Sequence, residues 1–112
     1  MSISRITATE AHLLVGDGTA VLVDVREPDE FAAGHAPGAL HLPLSRLADG
    51  TAVLPAGREA VLICRSGNRS RQAAGLLAAR GVTVPDVIGG LLDWAARGLP
   101  VVDARGAAGT VV

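Results

Sequence analysis

Residues 20–25, AVLVDV, and 59–64, EAVLIC, are near-continuous apolar runs, one closing on charge and the other on the chain's single cysteine. A strand with one wet face alternates apolar and polar side chains, so a run without alternation must be covered on both faces, as in the middle of a parallel sheet. Parallel neighbours need crossover connections, and helical patterns lie where those crossovers belong. ITATEAHLLVGDG reads as a short helix with Thr7 and Glu10 at capping-box spacing and Gly16 and Gly18 at its end. REPDEFAAGH places Pro28 in a first turn beside Asp29 and Glu30, with Gly34 as its stop.

GALHLPLSRLADG predicts a short strand, a turn at Pro43 and a turn or two of helix over residues 45–47. SRQAAGLLAARG predicts a helix that begins near Ser70 and stops at Gly81, VPDVI another strand, and GGLLDWAARG another short helix. Strands alternating with helices define an α/β fold, a central, mostly parallel sheet flanked by helices on both faces. The 112 residues suffice for one modest core. Residues 1–103 are expected to form that single domain, and the small-residue stretch 104–112 a flexible C-terminal tail.

A net charge of −1 argues against a nucleic-acid partner, and no stretch approaches the roughly 18 apolar residues of a membrane helix. The opening residues show no charged leader or cleavage site, so the expected compartment is the cytoplasm. All ten basic residues are arginine, which makes position more telling than count. One cysteine closes no internal disulfide, and no CxxC or Cys/His cluster is present to hold a metal.

The stretch ICRSGNRSRQAAG puts Cys64 at a strand-to-helix turn. Strand carboxyl ends carry the ligand sites of open α/β sheets, and a helix amino end there offers free NH groups to an anion. Gly67 and Asn68 accept the left-handed conformations such a curl requires. Inward NH groups, with Arg65 and Arg69 beside them, favour the thiolate, the nucleophilic form; the alternative is an inert buried cysteine acting as a small hydrophobe. A phosphatase-type loop needs Arg six positions after the cysteine to fork an oxyanion, and Ser70 stands there, with Ile63 in place of a preceding His. The shorter cradle suits one extra sulfur atom on Cys64 better than a phosphate, which points to a persulfide.

At this point the sequence resembles the rhodanese family, in particular its single-domain sulfurtransferases. VLVDVREPDEFAAGHAPGALHLPL is similar to the family's D-V-R-x-x-x-E-[FY]-x-x-G-H signature, ICRSGNRSRQAA to its active-site loop, and VIGGLLDWAARGLPV to its G-G-x-x-x-W ending. The resemblance implies a thiosulfate sulfurtransferase. Cys64 is then the catalytic residue, and Arg65, Ser66, Gly67, Asn68, Arg69 and Ser70 bind substrate, Arg65 and Arg69 by attracting the anionic donor and Ser70 through its hydroxyl. No metal or organic cofactor is implied. The partners are a small-molecule sulfur donor and a cyanide or thiol acceptor. The alternative is a sulfur-carrier or interaction module that relays persulfide sulfur between proteins. Among the remaining motif residues, Arg26 is expected to pair with Glu30, His35 to fix a turn by hydrogen bonding, Trp94 to pack in the core against Gly89 and Gly90, and His41, which replaces the family's usual Asn, to be a surface change without a role.

Overall fold

A computed structural model describes residues 4–112. Its elements run β1 (Arg5–Ile6), α1 (Ala8–Gly16), β2 (Ala20–Asp24), α2 (Pro28–Ala33), β3 (Leu40–His41), α3 (Leu44–Ala48), β4 (Glu59–Ile63), α4 (Asn68–Ala79), β5 (Asp86–Val87) and α5 (Gly90–Ala96). The five strands form one sheet in the order β1-β5-β4-β2-β3, and every described pairing is parallel. The α/β fold read from the two apolar runs is therefore the one observed, with those runs as adjacent inner strands.

Successive strand residues divide between two cores because side chains alternate across a pleated sheet. Leu22, Val61, Ile63 and Val87 join Ala8, Ala11, Leu91 and Trp94 beneath α1 and α5. Val23, Leu62 and Cys64 join Leu47, Ala73, Ala74 and Leu77 beneath α3 and α4. Each large apolar side chain fully buried in this way stabilises the fold by roughly 1.5–3 kcal/mol. Cys64 thus extends the face that α4 covers, which sets its side chain against the start of that helix.

Local signals in the sequence account for most boundaries. Thr7 and Glu10 close the expected capping box on α1, at 3.1 Å in both directions. Pro28 opens α2 and Gly34 ends it. The predicted start of α4 near Ser70 moves forward to Asn68, because Gly67 takes a left-handed conformation (φ 99°) and caps the helix with its backbone.

Two expectations need correction. Arg26 does not pair with Glu30; it folds back on Asp24, two residues earlier, while Glu30 faces α4. The stretch 104–112 is also not a free tail. Val102 bridges Ala108, Ala104 NH donates to the Ala32 carbonyl and Thr110 NH to the Ala33 carbonyl, and Val111 packs on the α1/α5 core. Small residues made this stretch look unable to anchor itself. Glycines on both sides let its backbone lie close: a Cβ on Gly34 at the end of α2 would stand 2.3 Å from the Thr110 carbonyl oxygen, and one on Gly109 2.6 Å from the Val102 backbone.

Candidate active site

β4 ends at Ile63, and the next residue, Cys64, is 1% exposed at the carboxyl edge of the sheet. Its Sγ accepts hydrogen bonds from the NH groups of Gly67 at 3.2 Å and Ser70 at 3.3 Å. The expected cradle of inward NH groups is present, with these two bonded directly to sulfur. Gly67 must be glycine both for its φ and for space, since a Cβ there would lie 3.1 Å from an Arg5 guanidinium nitrogen and from the Gly89 nitrogen.

The far side of the loop is held by α5. Leu91 NH donates to the Cys64 carbonyl at 2.8 Å and Leu92 NH to the Arg65 carbonyl at 2.9 Å, so the first turn of α5 spends its free donors on the loop. That approach explains Gly90, while Gly89 answers to its own helix and a left-handed φ of 76°. A Cβ on Gly90 would sit 2.3 Å from the Cys64 carbonyl oxygen, and one on Gly89 would strike the Asp93 side chain. Trp94 is buried as expected, but it packs edge-on to His12 and donates its indole NH to the Pro100 carbonyl. Of the two glycines, Gly90 is the one that serves the cysteine loop.

Beneath the loop, strand register brings three residues side by side. Arg5 pairs with Asp86 across β1 and β5, and Asp86 with Leu62 across β5 and β4, all on the face that α4 covers. The Ser70 hydroxyl donates to Asp86 Oδ2 at 2.9 Å, and the Cys64 thiol points to Ser70 Oγ at 3.4 Å. Arg5 grips both Asp86 oxygens, at 3.0 and 3.1 Å, and reaches the Gly67 carbonyl at 3.1 Å. Ser70 therefore sits in the site as expected, though its proton faces Asp86. Neither Arg5 nor Asp86 was singled out from the sequence. The available signal was an acid inside the apolar run VPDVI.

The cations are arranged differently from the expectation. Arg69 forks Glu30 at 2.6 and 2.9 Å, and this hydrogen bonding holds the Glu30 carboxyl at about 2, well below its usual 4.5. The same pair raises Arg69 above its ordinary value. Arg65, Ser66 and Asn68 form the exposed rim, and Arg65 makes no ion pair among the described residues. Asp24 and Arg26 are fully buried at the end of β2, with one Arg26 nitrogen bonded to the Gly34 carbonyl at 2.6 Å and another, Nη1, without a partner.

His35 and His41 both stack on Phe31. His35 stacks at 3.9 Å with Nδ1 on the Phe31 carbonyl, the turn-fixing bond expected of it. His41 stacks at 4.5 Å with Nε2 on the Arg26 carbonyl, so it is half-buried and fastens β3 to the segment after β2, contrary to its reading as a surface change without a role. No cluster of metal-ligating side chains occurs among the described residues. A cleft of about 340 Å³ lies at the opposite, amino end of β4, between Leu54, Pro55, Glu59 and Val82, away from Cys64.

The site is thus a parallel α/β sheet with one thiol at a strand end, cradled by NH groups at the start of the next helix, an arrangement able to hold negative charge on sulfur. Residues 7–97 match the model of the rhodanese-like domain, and the chain belongs to that family. It is 41% identical over 87 residues to a sulfurtransferase of Allochromatium vinosum, covering 77% of this chain and 81% of that one. It is 39% identical over 110 residues to thiosulfate sulfurtransferase 16, chloroplastic, of Arabidopsis thaliana, covering 87% and 91%. The crystal structure of a rhodanese-related protein from Thermoplasma volcanium superposes with a TM-score of 0.79 at 31% identity, covering 88% of this chain and 97% of that one. By this kinship the chain is a sulfurtransferase-type protein. No described helix is long and apolar enough to cross a membrane.

Proposed function

We propose that the protein is a thiosulfate sulfurtransferase that works through a persulfide on Cys64. The observation that carries this reading is the double NH donation to the Cys64 sulfur from Gly67 and Ser70, in a loop whose other side is fastened by α5. Two fixed donors favour negative charge on that sulfur and hold it in place before reaction, without reorganisation during it.

In the first half-reaction the Cys64 thiolate attacks the outer sulfur of thiosulfate. A new S–S bond forms, the old one breaks, and sulfite leaves with the electron pair. In the second, cyanide or a thiolate attacks the outer persulfide sulfur, and Cys64 departs as the thiolate it began as. Both half-reactions place charge on the cysteine sulfur, and the same two NH groups serve each. Arg65, unpaired and exposed, draws the anionic donor; Ser66, Gly67, Asn68, Arg69 and Ser70 give the loop its shape. A cysteine only 1% exposed also selects small, narrow donors.

One observation favours the protein-to-protein relay as a second reading. Arg69 is bound to Glu30, so the loop offers a dianion fewer free cations than Arg65 and Arg69 together suggest. Intact mass of the reduced protein with and without thiosulfate, beside a Cys64→Ser variant, tests the proposal. A gain of one sulfur, about 32 Da, on the wild type alone supports covalent transfer. No gain from thiosulfate, with gain from a protein persulfide, favours the relay.

A further inference from the structure

The hydroxyl of Ser70 has one proton and two neighbours that could claim it, the Cys64 sulfur at 3.4 Å and the Asp86 carboxylate at 2.9 Å. Asp86 is fully buried and accepts at both carboxylate oxygens from the Arg5 guanidinium, so it faces Ser70 as an acceptor. The shorter, charge-assisted bond takes the proton. Ser70 then presents a lone pair to Cys64, which accepts from a thiol S–H and repels a thiolate.

We propose that Asp86 is a positioning residue that acts on Cys64 through Ser70, turning the hydroxyl so that it opposes the pull of the loop NH groups toward the thiolate. The inference rests on Cys64 being the reacting thiol. Its chemical sense is that a thiolate stabilised too far is a poorer nucleophile, so a counterweight keeps the sulfur both charged and reactive. Arg5 makes the counterweight tolerable by neutralising Asp86 in place and by tying it to the loop through the Gly67 carbonyl. The other charges around Cys64 are Arg65 on the rim, the Arg69–Glu30 pair from α4 and α2, and the Asp24–Arg26 pair on the β2 side; none bonds to Ser70.

The test is the pH profile of Cys64 alkylation by iodoacetamide, followed by intact mass, in the wild type, Asp86→Asn, Ser70→Ala and the double variant. An asparagine can donate to Ser70 Oγ and free the serine proton for sulfur. Asp86→Asn is therefore expected to move the alkylation midpoint down by about one pH unit. In the Ser70→Ala background that shift is expected to fall by at least half, as coupling through a shared hydroxyl requires. An unmoved midpoint in Asp86→Asn overturns the proposal, and so does an equal shift in both backgrounds, which would make Asp86 a through-space charge. If Asp86→Asn does not fold, Ser70→Ala alone decides: a lowered midpoint supports the proposal, whereas a raised one, which shows that the proton serves the sulfur, or an unchanged one, which shows that the hydroxyl does not oppose the thiolate, overturns it. Alkylation needs no sulfur donor, so a wild type that fails to take sulfur from thiosulfate would count against the proposed function and leave this result standing.

Discussion

Arg69 and Glu30, 39 positions apart, meet as a two-pronged ion pair that fastens α2 to the first turn of α4. The pair sits at the rim of the cysteine loop and removes one of its cations from service. It also makes stability depend on pH in a calculable direction. Hydrogen bonding to Arg69 lowers the Glu30 carboxyl from 4.5 to about 2 in the folded chain. A carboxylate depressed on folding contributes stability that is complete above its unfolded value and fades as pH falls through the folded one. Glu30→Gln is expected to cost about 1 kcal/mol near neutrality, a modest figure because Arg69 is partly solvated. The gap between the two proteins should close from pH 4.5 down toward 2, as read by urea unfolding at several pH values.

Arg65 and Arg69 should separate cleanly by substitution. Arg65 is exposed and makes no ion pair among the described residues, so Arg65→Ala is expected to raise the KM for thiosulfate about fivefold with little change in stability, the effect of one lost charge near the donor. Arg69→Ala leaves Glu30 without its partner and should lower the thermal midpoint. Steady-state kinetics beside thermal melts of the two variants distinguish the roles; equal KM effects would return Arg69 to the donor-binding set.

Gly90 is the point where α5 meets the cysteine loop. Its φ of 56° and the 2.3 Å approach of a Cβ to the Cys64 carbonyl leave no room for a side chain whose obstruction is backbone. Gly90→Ala should destabilise by more than about 3 kcal/mol, or displace the loop and release the Leu91 and Leu92 hydrogen bonds. Denaturant unfolding measures the first outcome and the rate of Cys64 alkylation the second. A soluble variant with wild-type values of both would remove α5 from its role in holding the loop.

The inner strands were legible because double-sided burial leaves unbroken apolar runs, and the cysteine loop because glycine, cysteine and arginine at a strand-to-helix junction restrict what the turn can do. What escaped has one physical cause. Sequence spacing reveals neighbours along a strand or helix, whereas the pairs that furnish the site, Arg5 with Asp86 and Glu30 with Arg69, are 81 and 39 residues apart and meet only through sheet order. Arg26 shows the opposite error. Four-residue spacing favoured Glu30, but Arg26 follows β2 directly, and the chain turn returns its guanidinium to Asp24 before α2 begins. His41 was legible only as a replacement for the family's usual Asn, and its stacking on Phe31 depends on where α2 comes to rest.

Asp24 and Arg26 form a fully buried pair, and removing one member should be far worse than removing both. Asp24→Ala strands a guanidinium that already has one unpartnered nitrogen, and is expected to cost about 3 kcal/mol or more. Adding Arg26→Met removes the stranded charge and should recover part of the loss, giving a double variant more stable than the sum of the single changes. Urea unfolding of the four proteins in the cycle checks this, and simple additivity would show that the pair is not coupled in the fold.

Deleting residues 104–112 tests whether the closing stretch belongs to the domain. It donates the Ala104 and Thr110 NH groups to α2 carbonyls and lays Val111 on the α1/α5 core. Five backbone hydrogen bonds to the rest of the chain and one partly buried valine, offset by the entropy of ordering nine residues, leave a net contribution of about 1–3 kcal/mol. The deletion is therefore expected to lower the thermal midpoint by several degrees, because a loss of this size is a large share of a small domain's stability. The effect should be local to the end of α2. Faster amide exchange in residues 30–35 without faster exchange in α4 would place the loss there, while an unchanged melting curve would restore the stretch to the free tail that its composition suggests.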